Sequence, residues 1–96
     1  MSSQLRIYSI RTARLDEFTA FWRAEIVPLR RRFGFTVEGA WADAETSTFA
    51  WVVGHPEFDE AEAAYYASPD RAALSHDPSE FIEHSDLRRM EPVDPR

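Results

Sequence analysis

The stretch TFAWVVG, Thr48 to Gly54, is apolar on both sides of an extended chain. Phe49, Trp51 and Val53 would point one way, Ala50 and Val52 the other. A strand of this kind sits at the centre of a sheet, with both of its faces covered. QLRIYSIR, Gln4 to Arg11, repeats the pattern, with Leu5, Ile7 and Ser9 on one side and Tyr8 and Ile10 on the other. The chain has 96 residues, enough for one domain (1–96) and one core.

Between these strands lies LDEFTAFWRAEIVPLRRRF. Leu15, Phe18, Trp22, Ile26, Leu29 and Phe33 recur at three- and four-residue spacing, with Phe21 beside them, and predict one long helix. Asp16 and Glu17 near its start and Arg30 to Arg32 at its end complement the helix dipole. Gly34 suits the position just past the helix. Pro28, inside the pattern, predicts a kink or a loosened turn. FTVEGAWAD, Phe35 to Asp43, alternates as a half-buried strand with Phe35, Val37 and Trp41 on one face. AETS then predicts a hairpin turn.

Downstream, HPE, SPD and DPS each place a proline after a capping position: His55, Ser68 and Asp77. Ser and Asp are good caps and His is a poor one. Helices are predicted near 57–67 and 70–76, with a turn near 78–81. Phe58, Ala61, Ala64 and Tyr65 form the buried stripe of the first. FIEHSDLRRMEPV supplies the last strand, whose phase the sequence leaves open.

The order β-α-β-β-α-β predicts an α+β, ferredoxin-like protomer: a four-stranded antiparallel sheet with helices on one face. Two strands are apolar on both faces, yet no element remains to cover the second face. A second copy of the chain would cover it, so a homodimer is expected. No Cys is present, so disulfides and thiolate metal sites are excluded. The net charge of −6 argues against nucleic-acid binding. No apolar run is long enough to span a membrane, and MSSQLRIYSI lacks the apolar core of a signal peptide, so a cytoplasmic protein is expected.

RIYSIR, a helix ending IVPLRRRFGF, VEGAWAD and FAWVVG together resemble the NIPSNAP family of dimeric α/β-barrel proteins. The matching features are Tyr8, Pro28, Gly34, Gly39 and Trp41, and the resemblance spans residues 5–92. It implies a ferredoxin-like protomer whose sheet pairs with that of a second subunit to close a barrel. The wider superfamily includes cofactor-free monooxygenases, cyclases and isomerases, along with haem-degrading and peroxidase members. Fold alone does not select among these.

Thirteen aromatic residues supply packing for a core and dimer interface. Tyr8, Trp22, Trp41, Phe49, Trp51 and Tyr65 are also candidates to line a cavity for a flat hydrophobic ligand. His55 follows TFAWVVG and shares a face with Phe49, Trp51 and Val53, provided no bulge occurs at Gly54. It is either a general acid or base or the residue at which strand turns into helix. By alternation His84 shares a face with Ile82 and is the second candidate base. Spacings of 21 and 8 residues between His55, His76 and His84 match no metal motif, and no nucleotide-binding or serine-nucleophile motif occurs. No metal or cofactor is therefore expected. The sequence leaves two functions open: a hydrophobic-metabolite binder with cofactor-free cyclase, isomerase or monooxygenase chemistry, or a non-catalytic assembly or regulatory protein with a solid barrel.

Overall fold

A computed structural model describes all residues, Met1 to Arg96. Four strands form one antiparallel sheet: β1 (Ser2–Ile10), β2 (Thr36–Asp43), β3 (Thr48–His55) and β4 (Ile82–Met90). Their order is β2-β3-β1-β4, so the two strands that are apolar on both faces are the inner pair, as their sequences require. The residues 44–47 make the β2–β3 turn. The chain has the α+β, ferredoxin-like fold, with its helices on one face of the sheet.

The first helical stretch comprises α1 (Leu15–Phe21), a π-helical turn (Trp22–Ile26) and α2 (Val27–Arg32). Pro28 accounts for the interruption. It has no N–H to offer the carbonyl four residues earlier, and its ring would clash there. The wider π turn relieves both problems, with the Val27 N–H donating to the Trp22 carbonyl. The π turn also rotates the helix that follows it, so Arg30 comes to face inward beside Leu29. Gly34 adopts φ +84° and ends the helix, as its position predicts.

α3 (Phe58–Ala67) begins two residues later than Pro56, which lies in the turn before it. Phe58 and Tyr65 are buried and Ala61 packs against the core, whereas Ala64 is exposed. α4 (Pro69–Ala72) is shorter than predicted and is capped by the Ser68 hydroxyl, which accepts from the Arg71 N–H at 3.1 Å. A 3₁₀ turn, Pro78–Glu80, starts with a reciprocal capping box between Asp77 and Glu80.

The core lies between helices and sheet and is mostly aromatic. Phe18 is fully buried at its centre, edge-on to Phe49 at 5.1 Å and to Tyr8 at 5.8 Å between ring centroids. Trp22 stands edge-on to both Phe49 and Trp51. The other sheet face has no helix. It carries Leu5 and Ile7 from β1 and Ala50 and Val52 from β3.

Two β-bulges set which residues reach which face. Val37 pairs with Val53 and Gly39 with Val52, leaving Glu38 as an extra residue in β2. Ser9 pairs with His84 and Ile10 with Ile82, leaving Glu83 as an extra residue in β4. β3 itself pairs with β1 without interruption from Thr48 to His55, so Gly54 forms no bulge there.

Two predictions follow from the packing. Phe18→Ala is expected to cost about 3–5 kcal/mol in urea denaturation, because the site is enclosed by rings that cannot collapse into the gap. Acid should destabilise the fold through Glu25. Hydrogen bonds from the Ser75 side chain and then from its backbone hold the Glu25 carboxyl below its usual range, against a smaller burial effect. A depressed carboxyl contributes stability that is present above its unfolded pKa and lost as pH falls through the folded one. Glu25→Gln should therefore lose less stability than the parent protein between pH 5 and pH 2, measured as denaturation midpoints.

Candidate functional site

A half-enclosed cavity of about 290 Å³ opens between the helices and the sheet. β1 contributes Arg6 and Tyr8 to it, β3 contributes Trp51, α2 contributes Arg30, and α3 contributes Tyr65 and Tyr66. Its mouth is formed by Arg71 of α4, the 3₁₀ turn and the start of β4. A hollow of about 390 Å³ near the β2–β3 turn is larger but has no aromatic side chain in its wall.

The floor is built on two buried arginines. Arg6 is 7% exposed and Arg30 is 1% exposed. The Arg6 Nε donates to the Tyr8 hydroxyl at 2.6 Å, and its two terminal nitrogens donate to Gln4 at 2.6 Å and to the Tyr66 hydroxyl at 3.1 Å. Arg30 donates to the Glu62 carboxylate at 2.6 Å, and the same carboxylate lies 4.0 Å from Arg6. Arg30 also lies over the Tyr65 ring at 4.0 Å and the Phe35 ring at 4.7 Å, which replaces part of its lost hydration. Burial works to lower the Arg6 pKa, but Tyr8, Tyr66 and Glu62 more than offset it. The Arg6 guanidinium is therefore held above its ordinary value and stays charged. Burial pushes the Tyr65 phenol up against the charges of Arg30 and Arg71, so that phenol stays protonated at neutral pH.

The sequence-predicted ligand residues divide. Tyr8, Trp51 and Tyr65 come together in the cavity wall. Trp22 and Phe49 are buried behind it in the core. Trp41 is elsewhere. The Glu38 bulge reverses the alternation, so Trp41 pairs with Ala50 on the helix-free face, 62% exposed. Its indole folds back over Gly39, where an added Cβ would meet it at 2.9 Å.

His55 keeps the phase its strand predicts but does not line the cavity. Its Nδ1 accepts from the Glu57 N–H at 2.8 Å, so the proton is on Nε2, which donates to the Phe33 carbonyl at 3.1 Å. The ring thus ties the end of α2 to the start of α3, edge-on to Phe35 at 4.9 Å between centroids. Both nitrogens are engaged by backbone, so His55 serves as a structural joint in this arrangement and leaves neither nitrogen directed at the cavity. His84 borders the cavity but is exposed. The Glu83 bulge pairs it with Ser9, so it does not share the face of Ile82. It lies close enough to Asp86 to help lower that carboxyl, after the larger effects of Arg88.

Sequence reasoning missed Arg6 and Arg30. Arg6 carried a signal: it falls on the Tyr8 side of β1, where the alternation predicts burial. Arg30 carried none, because a cation at a helix C-terminus looks like dipole complementation. That reading fits the exposed Arg31 and Arg32 and fails for Arg30.

A ferredoxin-like sheet with a cavity between sheet and helices, walled by tyrosines, a tryptophan and two fixed cations, defines a small α+β protein with a polar-floored pocket. Solved structures share its fold closely. A NIPSNAP domain protein from Burkholderia xenovorans superposes with a TM-score of 0.84 at 15% identity, over 100% of this chain and 98% of that one. A NIPSNAP family protein from Agrobacterium tumefaciens gives 0.84 at 21% identity, over 98% and 94%. A protein named an antibiotic biosynthesis monooxygenase gives 0.74 at 15% identity, over 98% and 100%. At these identities the likeness establishes the fold. No family model matches the chain, and no curated protein matches it.

His55→Ala is expected to cost about 1–2 kcal/mol in denaturation, because it strands the Glu57 N–H and the Phe33 carbonyl. The cavity should be unaffected, so any ligand found for the protein should bind His55→Ala and the parent with equal affinity.

Proposed function

We propose that the protein binds a small, flat organic molecule in the cavity between sheet and helices, and that it works as a homodimer. The observation that carries the binding reading is the cavity itself. It has about 290 Å³ walled by Tyr8, Trp51 and Tyr65 with polar groups converging at its floor, the aromatic-and-polar lining of a ligand pocket, which the larger hollow near the β2–β3 turn lacks.

The chemistry such a site supports is a cofactor-free proton transfer. The Tyr8 oxygen accepts from the Arg6 Nε, which leaves its own O–H to donate toward a ligand atom. A charged neighbour at 2.6 Å also stabilises negative charge developing on that oxygen. Tyr8 is thus the candidate proton donor in an isomerisation, cyclisation or oxygenation. The neighbour named a monooxygenase supports this only as an example of the same scaffold.

The dimer reading rests on the helix-free face. Leu5, Ile7, Ala50 and Val52 form an apolar centre, and Trp41 and Met90, both strongly exposed, extend it toward the two sheet edges. A second copy is the partner with a matching sheet, related by a two-fold axis.

Sedimentation equilibrium at micromolar concentration should give a dimer, and Val52→Asp should give a folded monomer. A monomeric parent protein would contradict the dimer. Native mass spectrometry of the same sample should reveal a small-molecule adduct that denaturation releases. A cavity that takes up no compound from a library of flat aromatic metabolites would contradict the binding reading.

A further inference from the structure

The floor of the cavity has more hydrogen-bond donors than acceptors. Two guanidinium groups offer about ten N–H bonds between them. The acceptors present are Tyr8, Gln4, Tyr66 (used by both arginines) and Glu62. Three buried donors have no acceptor: the Nε–H of Arg30 and the indole N–H of Trp51, both on residues of the cavity wall, and the indole N–H of Trp22 in the core behind it. Buried donors are almost always satisfied, so two orphans on the wall of one cavity need an explanation. The charges tell the same story. Arg6 and Arg30 face a single carboxylate, Glu62, which leaves one positive charge uncompensated at the floor.

The mouth is different. Asp77 and Glu83 stand there with Arg71. The Asp77 carboxylate is engaged in the capping box of the 3₁₀ turn, so it does not reach in to neutralise the arginines. A ligand with one negative charge meets the cationic floor, while a second negative charge would face a mouth where two carboxylates outnumber the one guanidinium of Arg71. The walls between floor and mouth are the rings of Tyr65, Tyr66 and Trp51.

Given the reading of the cavity as a binding site, we propose that its ligand is a monoanionic aromatic or similarly flat organic acid, with its carboxylate at the Arg6–Arg30 floor and its ring against Tyr65 and Trp51. The carboxylate supplies the acceptors that the floor lacks and balances its charge. A guanidinium presents paired donors that match a carboxylate, which makes this the natural counterpart of an arginine floor. The Tyr8 hydroxyl then lies beside the bound acid, where its free proton can be used.

The test is a titration of the isotope-labelled protein followed by amide NMR shifts, with benzoate, its neutral isostere benzamide, and inorganic phosphate as probes. Benzoate should shift resonances of Tyr8, Trp51 and Tyr65 and bind at least about tenfold more tightly than benzamide, the margin expected of one charge-assisted hydrogen bond. Arg6→Gln should erase the difference, and Arg6→Lys should keep part of it. The benzoate–benzamide comparison in the parent protein stands whether or not either variant folds. Equal binding of both at the cavity would overturn the acid and leave the binding site intact. Tighter binding of phosphate than benzoate would overturn the single charge. Silence of the cavity resonances with all three probes would overturn the proposal and count against the binding site itself.

Discussion

The Arg30–Glu62 ion pair fastens α2 to α3 at the floor of the cavity, and the surrounding site depends on it. Moving a guanidinium out of water costs several kcal/mol, and one carboxylate rarely repays that in full. Here the repayment is spread over a 2.6 Å hydrogen bond, aromatic faces and a shared tyrosine hydroxyl. An apolar side chain of similar volume would hold the two helices together at least as well. The pair is therefore poorly explained as a device for stability. It is well explained as a way to hold positive charge at a fixed place beside a cavity. The same logic extends to Arg6, whose three partners fix its plane against the β-sheet.

The π turn connects this site to the sequence. Pro28 cannot complete the α-helical ladder, the turn before it widens, and the rotation that results brings Arg30 inward. An amino acid with no functional group of its own thus decides where a charged one points. The helix-free sheet face is the other consequence of chain economy. With the helices packed on one side and none on the other, Leu5, Ile7, Ala50 and Val52 have no element of this chain over them.

Fold and site were legible to different degrees, for physical reasons. Periodicity reports which face a residue takes as long as its element is regular. β3 is regular, so TFAWVVG was read correctly through to His55. β2 and β4 each carry one extra residue, and one residue is enough to send every later side chain to the opposite face. That is why Trp41 lies on the helix-free face, and why His84, which still borders the cavity, does not share the face of Ile82. His55 is a different case. Its position was right, but the backbone groups that claim both of its nitrogens come from Phe33 and Glu57, and the pairing with Phe33 across the fold has no local signal. Tyr8, Tyr65 and Trp51 border the cavity because each lies on the inward-facing side of a regular element, a placement that periodicity reports. The arginines were not found this way, since a buried cation contradicts the ordinary rule and only the assembled structure shows what neutralises it.

The most direct measurement is a crystal structure of the protein as purified, without added ligand, at a resolution that distinguishes an organic acid from water. The account predicts density for a flat molecule in the cavity, with a carboxylate within hydrogen-bond distance of both Arg6 and Arg30. A cavity holding only ordered waters that satisfy both guanidinium groups, unchanged after soaking in benzoate, would contradict it.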